Sequence, residues 1–190
     1  MKNAVSSLTR PLRSAKMLRS GRDYQSRIEQ IQSPTKMLAI PIASILLASI
    51  VTTLPFLSTQ ALLPPFGLMF FLAWRLLRPR LLPMWSGLPF GMFDDIFSGQ
   101  PFGSAALIWS LSMLAIELLD ARAVWRDYLQ DWLIAATLIM LAICAGNVFV
   151  GLVFSWPMAA TLLPQIALSI LIYPLVVRIV ARLDLWRLRP

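Results

Sequence analysis

Histidine is absent from this 190-residue chain, and cysteine occurs once, at Cys144. Without histidine and with one thiol, no metal site of the usual Cys/His kind can be assembled, and no disulfide can form within the chain. Nucleophile–base pairs of the Ser-His or Cys-His type are excluded for the same reason. Charge is also scarce: 14% of residues are charged, and only nine are acidic. Globular soluble domains carry about 25% charged residues and about 45–50% apolar ones. Here 58% are hydrophobic and the mean hydropathy is +0.71, the composition of a polytopic membrane protein. The net charge of +8 raises two readings, a nucleic-acid surface or the basic flanks of membrane spans, and the positions of the charges decide between them.

Residues 1–36 hold eight Lys and Arg against Asp23 and Glu29, with serines, Pro11, Gly21 and Pro34 interrupting any long helical pattern. They read as a basic, mostly disordered N-terminal tail, with a short amphipathic turn around Tyr24, Ile28 and Ile31. Its Arg- and Ser-rich composition also resembles a mitochondrial transit peptide. Six apolar segments follow, at about 37–57, 61–77, 81–98, 102–119, 132–154 and 158–177, and together they define a transmembrane domain over 37–180. Pro89 falls inside the third segment, where a kink is expected. Residues 181–190 form a basic C-terminal tail.

Six crossings put the N-tail, the loop at 75–80, the loop at 120–131 and the C-terminal end from Arg178 onward on one side. Those segments hold eight, three, two and four Lys and Arg, which accounts for all 17; the turns near 58–60, 99–101 and 155–157 hold none. Basic residues favour the cytoplasmic side, so both termini are expected there. The basic charge is thereby explained by topology and by contact with anionic lipids, and no nucleic-acid partner is expected. Opposite turns of about three residues leave no extracytoplasmic domain.

The densest signal lies at 87–103, GLPFGMFDDIFSGQPFG. Asp94 and Asp95 sit in an apolar run near the outer end of the third segment, and a charge at membrane depth costs roughly 2.5–3.5 kcal/mol on insertion scales. Such residues are usually partnered or functional. One reading makes them a polar anchor for a partner, or a cation or proton site. The structural alternative has one carboxylate cap the fourth helix, or bond Ser98 and the backbone near Gly99, while the other reaches outward. No basic residue shares their side of the membrane, which favours docking to another chain. Gly87 and Gly91 form a G-x-x-x-G that permits close helix approach. Glu117 and Asp120 share a helical face at the inner surface and are expected to pair with Arg75, Arg78 or Arg122. Asn147 and Gln165, in adjacent segments, are expected to bond each other. No nucleophile and base converge, so neither an enzyme nor a cofactor is expected.

The stretch GLPFGMFDDIFSGQPFGSAALIWSLSMLAIELLD, the basic Pro-bounded loop before it and the six short segments resemble the rod shape-determining MreD family. The residues that carry the likeness are Gly87, Gly91, Asp94, Asp95, Ser98, Gly99, Pro101, Phe102 and Gly103. The long basic N-tail departs from compact members. The resemblance implies an all-α integral membrane protein, a compact bundle similar to the substrate-binding subunits of energy-coupling-factor transporters. It implies a non-catalytic scaffold in the bacterial inner membrane that binds MreC, with indirect links to MreB, RodA and a class B penicillin-binding protein in peptidoglycan synthesis. The fold likeness supplies an alternative, a small-molecule-binding subunit of a vitamin-type transporter.

Overall fold

The computed structural model describes residues 34–52, 63–79, 81–98, 101–122, 127–149 and 156–188. Among them are six α-helices: α1 (Pro34–Thr52), α2 (Phe66–Leu77), α3 (Gly87–Ser98), α4 (Ser104–Arg122), α5 (Tyr128–Phe149) and α6 (Trp156–Arg187). A 3-10 turn, Met84–Ser86, leads into α3. The described residues contain no strand. The basic stretch 1–33, the turn at 58–60, Gly99 and positions 123–126 lie outside them.

The short α2 is the centre of the bundle. Apart from Arg75 in its last turn, its sequence FGLMFFLAWRLL is apolar throughout, a pattern that suits a helix enclosed by others. Met69, Phe71, Leu72 and Trp74 are each fully buried, and α1, α5 and α6 pack around it. Trp74 donates its indole N–H to Ser44 Oγ on α1 at 2.8 Å, and Ser44 in turn donates to the Pro41 carbonyl. Phe71 meets Trp109 of α4 at 5.0 Å and Phe90 of α3 at 5.8 Å between ring centroids. An aromatic cluster therefore joins the centre to the α3–α4 pair.

Six helices correspond to the six apolar segments, but their lengths differ from expectation. Three helices are long and apolar enough to cross a membrane: Ser104–Ala121, Tyr128–Phe149 and Leu162–Arg187. By contrast α2 and α3 have 12 residues each, about 18 Å of rise, against a hydrocarbon core of about 30 Å. The third segment is shorter than 81–98 because its first six residues go into an extended Pro83 and the 3-10 turn. Pro89 is consequently the third residue of α3, where its missing N–H has no intrahelical acceptor to lose, so the expected mid-span kink has no basis. In the opposite sense α6 is a single helix of 32 residues that starts with Trp156 and Pro157, passes Pro164 and Pro174, and ends at Arg187. The stretch 181–187, expected to be tail, is its last two turns.

Successive helices alternate in direction, which gathers their ends into two sets. The C-terminal ends of α2, α4 and α6 meet in an ionic cluster. Arg75, 3% exposed, bonds Glu117 at 2.5 Å and lies 3.3 Å from Asp120, one of the pairings expected from spacing. Arg78 turns to a different partner, Asp184, contacting it through Nε and Nη2 at 2.9 and 2.8 Å. Arg187 holds the other oxygen of Asp184 at 2.7 Å and stacks over the Trp74 ring at 5.6 Å. These contacts give the last turns of α6 a buried, paired role. The other set of ends surrounds the 87–103 stretch.

Candidate functional site at the α3–α4 junction

Gly87, Gly91 and Asp95 recur every four residues and form one stripe of α3, which faces α4. A Cβ on Gly87 would lie 2.7 Å from the Trp109 carbonyl oxygen; one on Gly91 would lie 2.7 Å from the Ala105 carbonyl oxygen and press on Ala106 Cα. The G-x-x-x-G thus sets backbone-to-backbone contact between α3 and α4, as its spacing predicts.

That proximity delivers the third member of the stripe to the start of α4. Asp95, 4% exposed, accepts from Gly103 N at 2.9 Å, Ala105 N at 2.8 Å, Ala106 N at 3.2 Å and the Ser104 hydroxyl at 3.2 Å. No acidic residue occupies the first turn of α4 itself. A carboxylate from the preceding helix supplies the cap and complements the positive end of the helix dipole. Gly103 makes this possible with φ +96°, a left-handed conformation that a side chain disfavours. The Pro101 carbonyl accepts from Ser104 N at 3.0 Å and closes the turn. Phe102 at its tip is 70% exposed.

Asp94, one residue earlier, faces away from α4 toward α1 and α2. A Cβ on Gly67 would clash with the Ser49 hydroxyl and crowd Asp94 Oδ1 at 3.1 Å, so glycine there gives both side chains their room. Ser49 of α1 sits against the same glycine. Its hydroxyl, in a residue 1% exposed, is directed to the Asp94 carboxylate. Among the described residues no Lys or Arg pairs with either Asp94 or Asp95.

Asp94 and Ser98 line a half-open cavity of about 340 Å³ between the helix ends. Thr52 closes it from α1, Pro64 and Pro65 from the segment before α2, Trp109 from α4. Asn147 and Gln165 also face it, but the hydrogen bond expected between them is not formed. Asn147 donates its amide to Ile143 O in its own helix at 2.8 Å, and Gln165 donates to Leu63 O at 2.8 Å. Each finds a main-chain carbonyl closer at hand.

The nine residues singled out by sequence therefore divide. Gly87, Gly91, Asp95, Pro101 and Gly103 build the junction, Phe102 is displayed by it, Asp94 and Ser98 open into the cavity, and Gly99 is outside the described residues. Sequence reasoning missed Ser49, Gly67 and Asp184. An isolated glycine inside the apolar run of α2 and a lone acid among the closing arginines were the available signals.

The fold and site define a helical membrane protein whose α3–α4 pair is locked by a buried carboxylate. The family model described as rod shape-determining protein MreD matches residues 32–183, and the chain belongs to that family. The match spans five helices in full and α6 as far as residue 183, with the junction and the cavity. No curated protein and no solved structure matches the chain.

Proposed function

We propose that this protein is an inner-membrane scaffold of the machinery that elongates rod-shaped bacterial cells, that it binds MreC, and that it supports peptidoglycan synthesis without being a catalyst. Membership in a rod shape-determining family supports the role in cell shape. Six spans with both termini cytoplasmic are supported by the one-sided distribution of all 17 basic residues and by the alternating helix directions. MreB, RodA and a class B penicillin-binding protein are then reached through the assembled complex, and the basic N-terminal stretch meets anionic lipid headgroups.

The single observation that carries the contact surface is Phe102. A large aromatic side chain is 70% exposed at the tip of a turn whose backbone is fixed by Asp95. Rigid, exposed aromatics make effective interface anchors because little conformational freedom remains to be lost on binding. The docking surface is the Pro101-Phe102 tip rather than the carboxylates. Co-purification from membranes tests it: Phe102→Ser reduces recovery of MreC at equal expression and equal thermal stability. Unchanged recovery would remove the turn from the interface.

A second reading, a small-molecule-binding subunit of a vitamin-type transporter, is favoured by the cavity beside Asp94. A vitamin retained through purification would establish it.

A further inference from the structure

We propose that the cavity between the helix ends is a binding site for a primary ammonium group, carried by a phospholipid headgroup or by a free amine. Its volume of about 340 Å³ lies at the small end of ligand sites. Its chemistry is one-sided. Asp94 contributes a carboxylate with no cationic partner among the described residues. Asn147 and Gln165 each spend one amide N–H on a main-chain carbonyl, and their amide oxygens remain available as acceptors. The lining is therefore rich in acceptors and holds a negative charge.

Two further features suit a cation. The buried Ser49 hydroxyl stands behind Asp94 and orients its carboxylate, which lines the cavity. Trp109 and Phe97 also line the cavity, and aromatic rings attract organic cations. An anion would meet Asp94 across a poorly screened gap, and a neutral apolar ligand would leave the carboxylate unpaired. A primary ammonium supplies three N–H donors to three kinds of acceptor.

Asp94 and Asp95 thus differ in kind. Asp95 is consumed by the α4 amides and has no bond left to give, while Asp94 is held open by Gly67 and Ser49. The proposal is independent of the MreC contact, in which Phe102 and not the cavity takes part, and it is an alternative to the vitamin reading, which would fill the same cavity.

Titration of the full-length protein in detergent with pentylammonium, and with neutral pentanol as reference, tests the free-amine source. Native mass spectrometry from nanodiscs containing phosphatidylethanolamine, phosphatidylcholine and phosphatidylglycerol tests the lipid source. The expected result is saturable binding of pentylammonium, or selective retention of phosphatidylethanolamine over the other two. Either is weakened about tenfold or more in Asp94→Asn, as expected for loss of one charge-assisted contact. Asn147→Leu weakens it as well and serves if the first variant folds poorly, and Met92→Ala, on the exposed face of α3, leaves it unchanged. Absence of both binding signals in the wild-type protein, or equal binding in folded Asp94→Asn, would overturn the proposal.

Discussion

Asp95, in the last turn of α3, accepts the main-chain N–H of Ala105 in the first turn of α4 at 2.8 Å, and with Gly103, Ser104 and Ala106 this makes it the cap of the next helix. A cap usually lies in the residue just before a helix. Here it comes from another helix, so one side chain joins capping to helix packing. Asp95→Ala removes the acceptor from several buried donors at once. The expected destabilisation is about 2–4 kcal/mol, read as a fall in Tm of roughly 5–10 °C in detergent.

The stripe that brings Asp95 to α4 is equally sensitive. Gly91→Ala places a methyl group against the backbone of Ala105 and Ala106, which cannot swing aside as a side chain does. The cost is about 1–3 kcal/mol. Gly103→Ala meets no neighbouring atom and is disfavoured only by φ +96°, so its cost is about 1 kcal/mol. Thermal unfolding of the two variants side by side gives the order: Gly91→Ala below Gly103→Ala below wild type.

At the other end Arg75 is buried between Glu117 and Asp120, and the three residues are unequal. Glu117 is half in solvent, with its side chain 53% exposed, and Asp120 remains beside Arg75 when Glu117 is lost. Arg75→Met therefore costs about 1–3 kcal/mol, below the full penalty of breaking a buried pair, and Glu117→Gln costs under about 1 kcal/mol. A double-mutant cycle of these two substitutions measures the coupling.

The end of α6, which reads as tail in the sequence, carries a prediction of its own. Deleting 181–190 removes Asp184 and Arg187, which leaves Arg78 without its partner and uncovers Trp74. Reduced stability and reduced membrane yield are expected. Yield equal to that of the full chain would show these contacts to be inert.

Much of this was legible in the sequence, for reasons that differ from residue to residue. Apolar segments and proline positions located all six helices, because burial and length leave a periodic record. The Gly87–Gly91 spacing announced a close approach, and Glu117 with Asp120 announced a pairing with Arg75, since both depend on neighbours along one helix. Which helix Gly91 touches, and which way Asp94 faces, depends on packing across the bundle, and no local pattern encodes that. Two adjacent residues on a helix are about 100° apart, so Asp94 and Asp95 were bound to differ in surroundings. The alternative in which one carboxylate caps the fourth helix already separated them, and Asp95 is that cap. The helical end of α6 was hidden by its arginines, which read as tail until Asp184 is seen between two of them.

The central claim is that these neighbouring carboxylates have separate tasks, Asp95 holding the fold and Asp94 serving the cavity. The most direct measurement is the Tm of Asp94→Asn and Asp95→Asn, purified in the same detergent without added amine. The account predicts that Asp95→Asn melts several degrees below wild type, because an amide cannot satisfy the donors that the carboxylate holds, while Asp94→Asn melts at or above it. Equal losses in the two variants, or a loss confined to Asp94→Asn, would contradict it.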